Sequence, residues 1–140
     1  MSEKYYFDTC IWRDFYESRT GLKRKPLGKY AANIFMKIIK RKDTLFYSDL
    51  IIRELKKDYN ENEVNDMLNF LFLTNTLKKV EMKKEDYLEA RKIAEERNLP
   101  IPDAFHAILA RNNKAIMISQ DAHLQELKDI VKVKKPEEID

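Results

Sequence analysis

The sequence predicts an α/β fold: one domain, a three-layer α/β/α sandwich around a central, mostly parallel sheet of four to five strands. Three observations carry this. Short apolar runs such as Tyr5-Tyr6-Phe7 and Thr44-Leu45-Phe46-Tyr47 alternate with longer stretches of helical periodicity. Such runs suit strands buried on both faces, as in parallel sheets. The 140 residues, 44% of them hydrophobic, are enough for one core and show no linker, repeat or low-complexity tract. Alternating strands and helices imply βαβ units with right-handed crossovers and helices on both faces, so a single domain is expected over 1–140.

Residues 3–8 read as the first strand, and Thr9 as the cap of a short helix over 11–17. Residues 18–26, with Gly21 and a dense basic cluster, read as a loop. A second helix follows Gly28, with an apolar stripe of Tyr30, Ile34, Phe35, Ile38 and Ile39. Thr44–Tyr47 is the second strand. Ser48 caps the next helix, and Asp49 favours its positive end. Asn60 followed by Glu63 is a capping box for a helix whose inner face is Val64, Met67, Leu68, Leu71 and Phe72. A third strand spans 77–81, interrupted by Lys78-Lys79, and an amphipathic helix runs 85–98 around Tyr87, Ala90 and Ala94. Pro100 and Pro102 force an extended approach to a helix whose start, Ala104–Ala110, is apolar almost all round and therefore sandwiched in the core. The fourth strand is 114–118, followed by a short helix through Leu127 and a last edge strand over 130–133.

Composition narrows the function classes. No apolar run approaches the roughly 20 residues needed to span a bilayer. The start, Met1-Ser2-Glu3-Lys4, lacks the layout of a signal peptide. A single cysteine, Cys10, excludes an internal disulfide and a cysteine-rich zinc site, which makes a cytoplasmic location the expectation. Lys and Arg number 27 against 24 acids. If four of those acids are committed to one site, 27 bases outnumber the remaining 20 acids, which suits a polyanionic partner.

Four carboxylates fall at element junctions. Asp8 ends the first strand, Glu54 lies about two turns into the helix after the second, Asp103 opens the helix after the prolines, and Asp121 follows the fourth strand. Parallel strands bring their C-terminal ends to one edge, where open α/β sheets bind ligands. Clustered carboxylates repel one another, and a divalent cation relieves this; oxygen donors select Mg²⁺ or Mn²⁺. The chemistry predicted is metal-dependent phosphodiester hydrolysis. Taken singly, each acid has a plainer role: a turn for Asp8, a solvated helix charge for Glu54, a helix start for Asp103 and a cap for Asp121. It is their shared edge that points to a site.

These residues resemble a PIN domain, the nuclease fold of the toxin half of many prokaryotic toxin–antitoxin pairs (the VapC-like ribonucleases) and of archaeal-type nucleases. Phe7-Asp8-Thr9 resembles the family's opening strand and first acid, Ser48 to Glu54 its second block, Pro102-Asp103-Ala104-Phe105-His106-Ala107 its third, and Ile118-Ser119-Gln120-Asp121 its fourth. The resemblance implies that Asp8, Glu54, Asp103 and Asp121 bind Mg²⁺ or Mn²⁺ and are catalytic, with Thr9 and Ser119 as supporting polar groups. It further implies an endoribonuclease that acts on RNA, often dimerises, and can have an antitoxin partner. Cys10 stands where the family usually has Asn after Asp-Thr.

The basic loop over 19–29 is the candidate RNA-backbone contact through Lys23, Arg24 and Lys25, with Arg13 second; a solvated loop is the competing reading. His106 reads as a packed or hydrogen-bonded core residue with a supporting role at the site left open, His123 as exposed, and Trp12 as core or interface. A haloacid-dehalogenase-like phosphatase also opens on a strand-end Asp but requires a second Asp where Cys10 stands. A receiver-like domain would want paired acids near the first strand. The rivals that remain are a PIN fold that binds RNA or protein without cutting, and an RNA-processing nuclease acting without an antitoxin.

Overall fold

A computed structural model describes residues 2–18 and 25–140. Among these residues five strands, β1 (Lys4–Phe7), β2 (Thr44–Tyr47), β3 (Leu77–Lys79), β4 (Ile116–Ile118) and β5 (Val133–Lys134), form one sheet in the order β3-β2-β1-β4-β5. All four pairings are parallel, with Tyr5 opposite both Leu45 and Ile116. Among the described residues seven α-helices flank it: α1 (Thr9–Glu17), α2 (Leu27–Arg41), α3 (Asp49–Leu55), α4 (Glu61–Leu73), α5 (Lys84–Arg97), α6 (Ile101–Asn112) and α7 (Ala122–Gln125).

The central strand explains the layering. Side chains alternate across a strand, and Tyr6 and Phe7 are both fully buried. Phe7 packs its ring against Trp12 of α1 and Phe35 of α2, at centroid distances of 6.2 and 5.0 Å. Tyr6 points to the other face and meets His106 of α6. Helix α6 is buried from Ala104 to Ala110, as its all-round apolar sequence requires. Among the described residues no helix is long and apolar enough to cross a membrane.

Three local expectations are corrected. The cap of α1 is Asp8, not Thr9: the Asp8 side chain accepts from Thr9 N, so Thr9 is already helical. The last strand lies at Val133–Lys134 rather than 130–133, because Ile130 N and Val131 N close a turn on Leu127 O. Tyr87 and Phe72, expected on the inner faces of α5 and α4, stay partly exposed, against Phe105 and Tyr47. Ser48 caps α3, and the Asn60–Glu63 capping box of α4 forms in both directions.

The chain order places a switch point beside β1. From β1 the chain winds to β2 and β3 on one side, then returns to β4 and β5 on the other. At such a point the crossovers diverge and leave a crevice at the C-terminal ends of the strands. Asp8 and Ser119 follow the two strands that border it, joined at the edge by Asp8 N donating to Ile118 O.

Candidate metal centre

Asp8 is buried and held from three sides. Its Oδ1 accepts Thr9 N at 2.8 Å, and its Oδ2 accepts the Ser119 hydroxyl at 3.0 Å and the Cys10 thiol at 3.3 Å. Cys10 thus supplies a weak donor to the first acid. Burial, then the Asp8 charge, pushes its thiol well above the ordinary range, so it stays protonated. Ser119 works in two directions: its oxygen also accepts Asp121 N at 2.9 Å, so one buried hydroxyl links the acids after β1 and β4.

Glu54 reaches the edge from the last turn of α3, and its Oε1 accepts Thr9 Oγ1 at 2.7 Å and His106 Nε2 at 2.5 Å. Burial works to raise its carboxyl, but the His106 bond and then Thr9 outweigh it and hold the group below the ordinary value. His106 is fully buried; its other nitrogen, Nδ1, lies 2.8 Å from Tyr6 Oη, which is 2.7 Å from Ser48 Oγ. Burial pushes the Tyr6 phenol far up, so it is a neutral hydroxyl.

Asp103 stands in the first turn of α6, and Asp121 caps α7 by accepting His123 N at 2.8 Å. His123 is half exposed, as expected, yet its Nδ1 reaches Asp103 at 3.3 Å and Asp121 at 3.7 Å. One ligand atom from each of Asp103, Asp121 and His123 lies within 4.8 Å of the others. Burial first, then the charges of Asp121 and Asp8, raise the Asp103 carboxyl to about 6. A carboxyl that ionises reluctantly beside two others is the electrostatic mark of a site short of positive charge.

The four acids therefore share one edge but fall into two groups. Asp103 and Asp121 converge with His123, while Glu54 pairs with His106, whose Nε2 also lies 4.0 Å from Asp8. Asp8 stands between the groups, tied to Asp121 through Ser119 and close enough to raise Asp103. The donor set fits a hard divalent cation: carboxylate oxygens, one imidazole, and an acid whose proton such an ion would displace. Sequence reasoning missed His123 as a group facing the acids. Its signal was its place two residues after Asp121, in the first turn that Asp121 caps.

The basic candidates divide. Lys23 and Arg24 lie outside the described residues. Lys25 is exposed ahead of α2, and the chain leaves α1 about 13 Å from Asp8, at roughly 1.5 Å per helical residue. Arg13 is three-quarters buried and binds Asp58 at 2.9 Å and the Glu54 carbonyl at 3.1 Å, which fastens α1 to the end of α3.

Comparison with known proteins follows this geometry. The family model for the PIN domain matches residues 5–130. No curated protein matches the sequence. Among solved structures, VapBC2 from Rickettsia felis, bound to a DNA fragment from their promoter, is similar at 19% identity and a TM-score of 0.63, with 94% of this chain and 98% of that one covered. A toxin–antitoxin complex from Klebsiella pneumoniae is similar at 16% identity and a TM-score of 0.63, covering 96% and 99%. VapBC-1 from nontypeable Haemophilus influenzae gives 16% identity and 0.62 over the same shares. At these identities the likeness to solved structures is one of fold. The family match runs from β1 through α7 and takes in all four acids, and by it the chain belongs to the PIN-domain family.

Proposed function

We propose that this chain is a metal-dependent endoribonuclease, a single nuclease domain over 1–140 that hydrolyses RNA phosphodiester bonds and acts as the toxin of a toxin–antitoxin pair. The observation that carries the reading is the convergence of the acids at one sheet edge, where ligand atoms of Asp103, Asp121 and His123 lie within 4.8 Å of one another and Ser119 ties Asp8 to Asp121. In this reading Asp8, Glu54, Asp103 and Asp121 hold a Mg²⁺ or Mn²⁺ ion, joined by His123. When bound, such an ion polarises a phosphate oxygen and lowers the pKa of an attacking water. The chain's own part is orientation. Thr9, Cys10 and Ser119 aim the Asp8 oxygens, and Ser119 holds Asp121 in step with them. Lys23, Arg24 and Lys25, with Arg13 beside Glu54, are the proposed contacts to the RNA backbone.

The toxin role draws on the solved neighbours, among them a toxin–antitoxin complex and two VapBC structures. It implies an antitoxin encoded beside this chain, a homodimer and a cytoplasmic site of action. The test is cleavage of labelled RNA by the pure protein with Mn²⁺, with EDTA, and in Asp8→Asn. Cleavage that needs the metal and is lost in the variant is the expected result. Cleavage unchanged in Asp8→Asn refutes the site, and no cleavage with no Mn²⁺ heat in calorimetry favours a PIN fold that binds without cutting.

A further inference from the structure

Ser48, Tyr6 and His106 are each fully buried, and each comes from a different element: the end of β2, the middle of β1 and the second turn of α6. Buried polar groups are kept where every partner is present. Here the partners form a line that ends on Glu54: Ser48 Oγ to Tyr6 Oη at 2.7 Å, Tyr6 Oη to His106 Nδ1 at 2.8 Å, and His106 Nε2 to Glu54 Oε1 at 2.5 Å.

The direction of the line follows from counting protons. An ionised carboxylate only accepts, so Nε2 carries a hydrogen and donates to Glu54. If Nδ1 is bare, it accepts from the Tyr6 hydroxyl, which in turn accepts from the Ser48 hydroxyl. Ser48 Oγ keeps a lone pair for Ile51 N, 3.4 Å away at the cap of α3. Every proton is then used once. Run the other way, the Ser48 hydroxyl hydrogen has no acceptor among the described contacts. Asp8 Oδ1, 4.0 Å from Nε2, is beyond hydrogen-bond reach, so the donor is committed to Glu54.

We propose that Ser48, Tyr6 and His106 form a one-way chain of hydrogen-bond donors that fixes the orientation of the Glu54 carboxylate, which makes His106 a positioning residue of the site. The chain also ties α3 to the sheet and to α6, the helix that carries Asp103. Thr9 Oγ1 supplies the second donor to the same Glu54 oxygen, so Oε2 is engaged by no described hydrogen bond. Groups that orient a metal-binding side chain in this way are worth about 10- to 100-fold in metal affinity.

The proposal rests on Glu54 belonging to the proposed metal centre, and two measurements separate it from that reading. The first needs no metal: long-range nitrogen–proton correlation at His106 in the full chain is expected to show the Nε2–H tautomer, and Tyr6→Phe is expected to let the Nδ1–H form appear. The second is Mn²⁺ calorimetry. His106→Leu is expected to weaken binding about 10- to 100-fold, and His106→Gln, which keeps an N–H near the place of Nε2, is expected to recover most of the loss. Melting temperatures identify any variant that fails to fold, and Tyr6→Phe and His106→Gln still decide the matter if His106→Leu does. Wild-type affinity in Tyr6→Phe and His106→Leu, or an Nδ1–H tautomer in the wild type, overturns the proposal. A wild type that binds no Mn²⁺ overturns the metal reading instead, and the nitrogen spectrum then decides the chain of donors alone.

Discussion

Removing the charge of Asp103 should stabilise the metal-free protein. The folded state raises this carboxyl from 3.8 to about 6, through burial first and then the charges of Asp121 and Asp8. At about 1.36 kcal/mol per pH unit, holding the group ionised costs the fold up to about 3 kcal/mol at neutral pH. Two terms reduce that. The N-terminus of α6 favours the negative charge by about 0.3–1 kcal/mol, and Asp103→Asn weakens the contact with His123. A net gain of about 1–2 kcal/mol remains, which raises Tm by roughly 3–8 °C for a chain of this size. The sign with pH is fixed by linkage. Between pH 3.8 and about 6 the folded state binds the Asp103 proton more tightly than the unfolded chain does, so stability falls as pH rises through that window. The advantage of Asp103→Asn should therefore be full above pH 6.5, shrink on acidification, and vanish near pH 4. Urea unfolding of both proteins in EDTA at several pH values measures it, and comparing the two at each pH cancels other carboxyls such as Glu54, which is lowered instead. With saturating Mn²⁺ the order should invert, because only the wild type keeps the ligand charge. A variant equal to or less stable than the wild type in EDTA at pH 7.5 refutes the electrostatic account of the site.

Two further outcomes follow from geometry. A Cβ on Gly28 would lie 2.5 Å from Ser18 Cα and 2.9 Å from Asp14 O, backbone atoms that cannot swing aside, so Gly28→Ala should cost about 1–3 kcal/mol in urea unfolding despite the better helix propensity of Ala, and a gain in stability would refute the close approach of α1 and α2. His123→Ala should weaken Mn²⁺ several-fold in calorimetry while leaving Mg²⁺ near its wild-type affinity, since Mg²⁺ selects oxygen ligands; equal losses for both ions would remove the imidazole from the ligand set.

Local signals were the easiest to read from the chain. Thr44–Tyr47, the Asn60–Glu63 capping box and the buried run Ala104–Ala110 each depend on neighbours within a turn or two, and each appears as its residues dictate. The last strand was harder, because an apolar run such as Ile130-Val131 suits a turn on Leu127 as well as a strand, and only pairing with β4 decides which residues extend. The shared edge of the four acids followed from parallel topology alone. Their division into two groups did not, since it depends on His106 reaching Glu54 across 52 residues and on Ser119 reaching Asp8 across 111. Arg13 shows the same limit: nothing in its neighbourhood along the chain announces that its guanidinium holds the Glu54 carbonyl.

The plain reading of three of these acids and the chemical one turn out to be compatible. Asp8 caps α1 and Asp121 caps α7 through a backbone N–H, while Asp103 lies in the first turn of α6, where the helix dipole favours its charge without a capping bond. A cap needs one carboxylate oxygen; the second oxygen of Asp8 accepts from Ser119 and Cys10. Three helix starts brought to one sheet edge therefore gather three partly satisfied carboxylates without any buried lysine or arginine among the described contacts to balance them. Asp103, which has no such bond, is the acid that burial and then the charges of Asp121 and Asp8 raise. Glu54 differs because no helix start serves it. Its orientation has to come from side chains, Thr9 on one side and the buried line of Ser48, Tyr6 and His106 on the other. An acid placed only by side chains can be released by a single substitution, whereas Asp8 and Asp121 each keep a backbone N–H that no side-chain change at a neighbour removes.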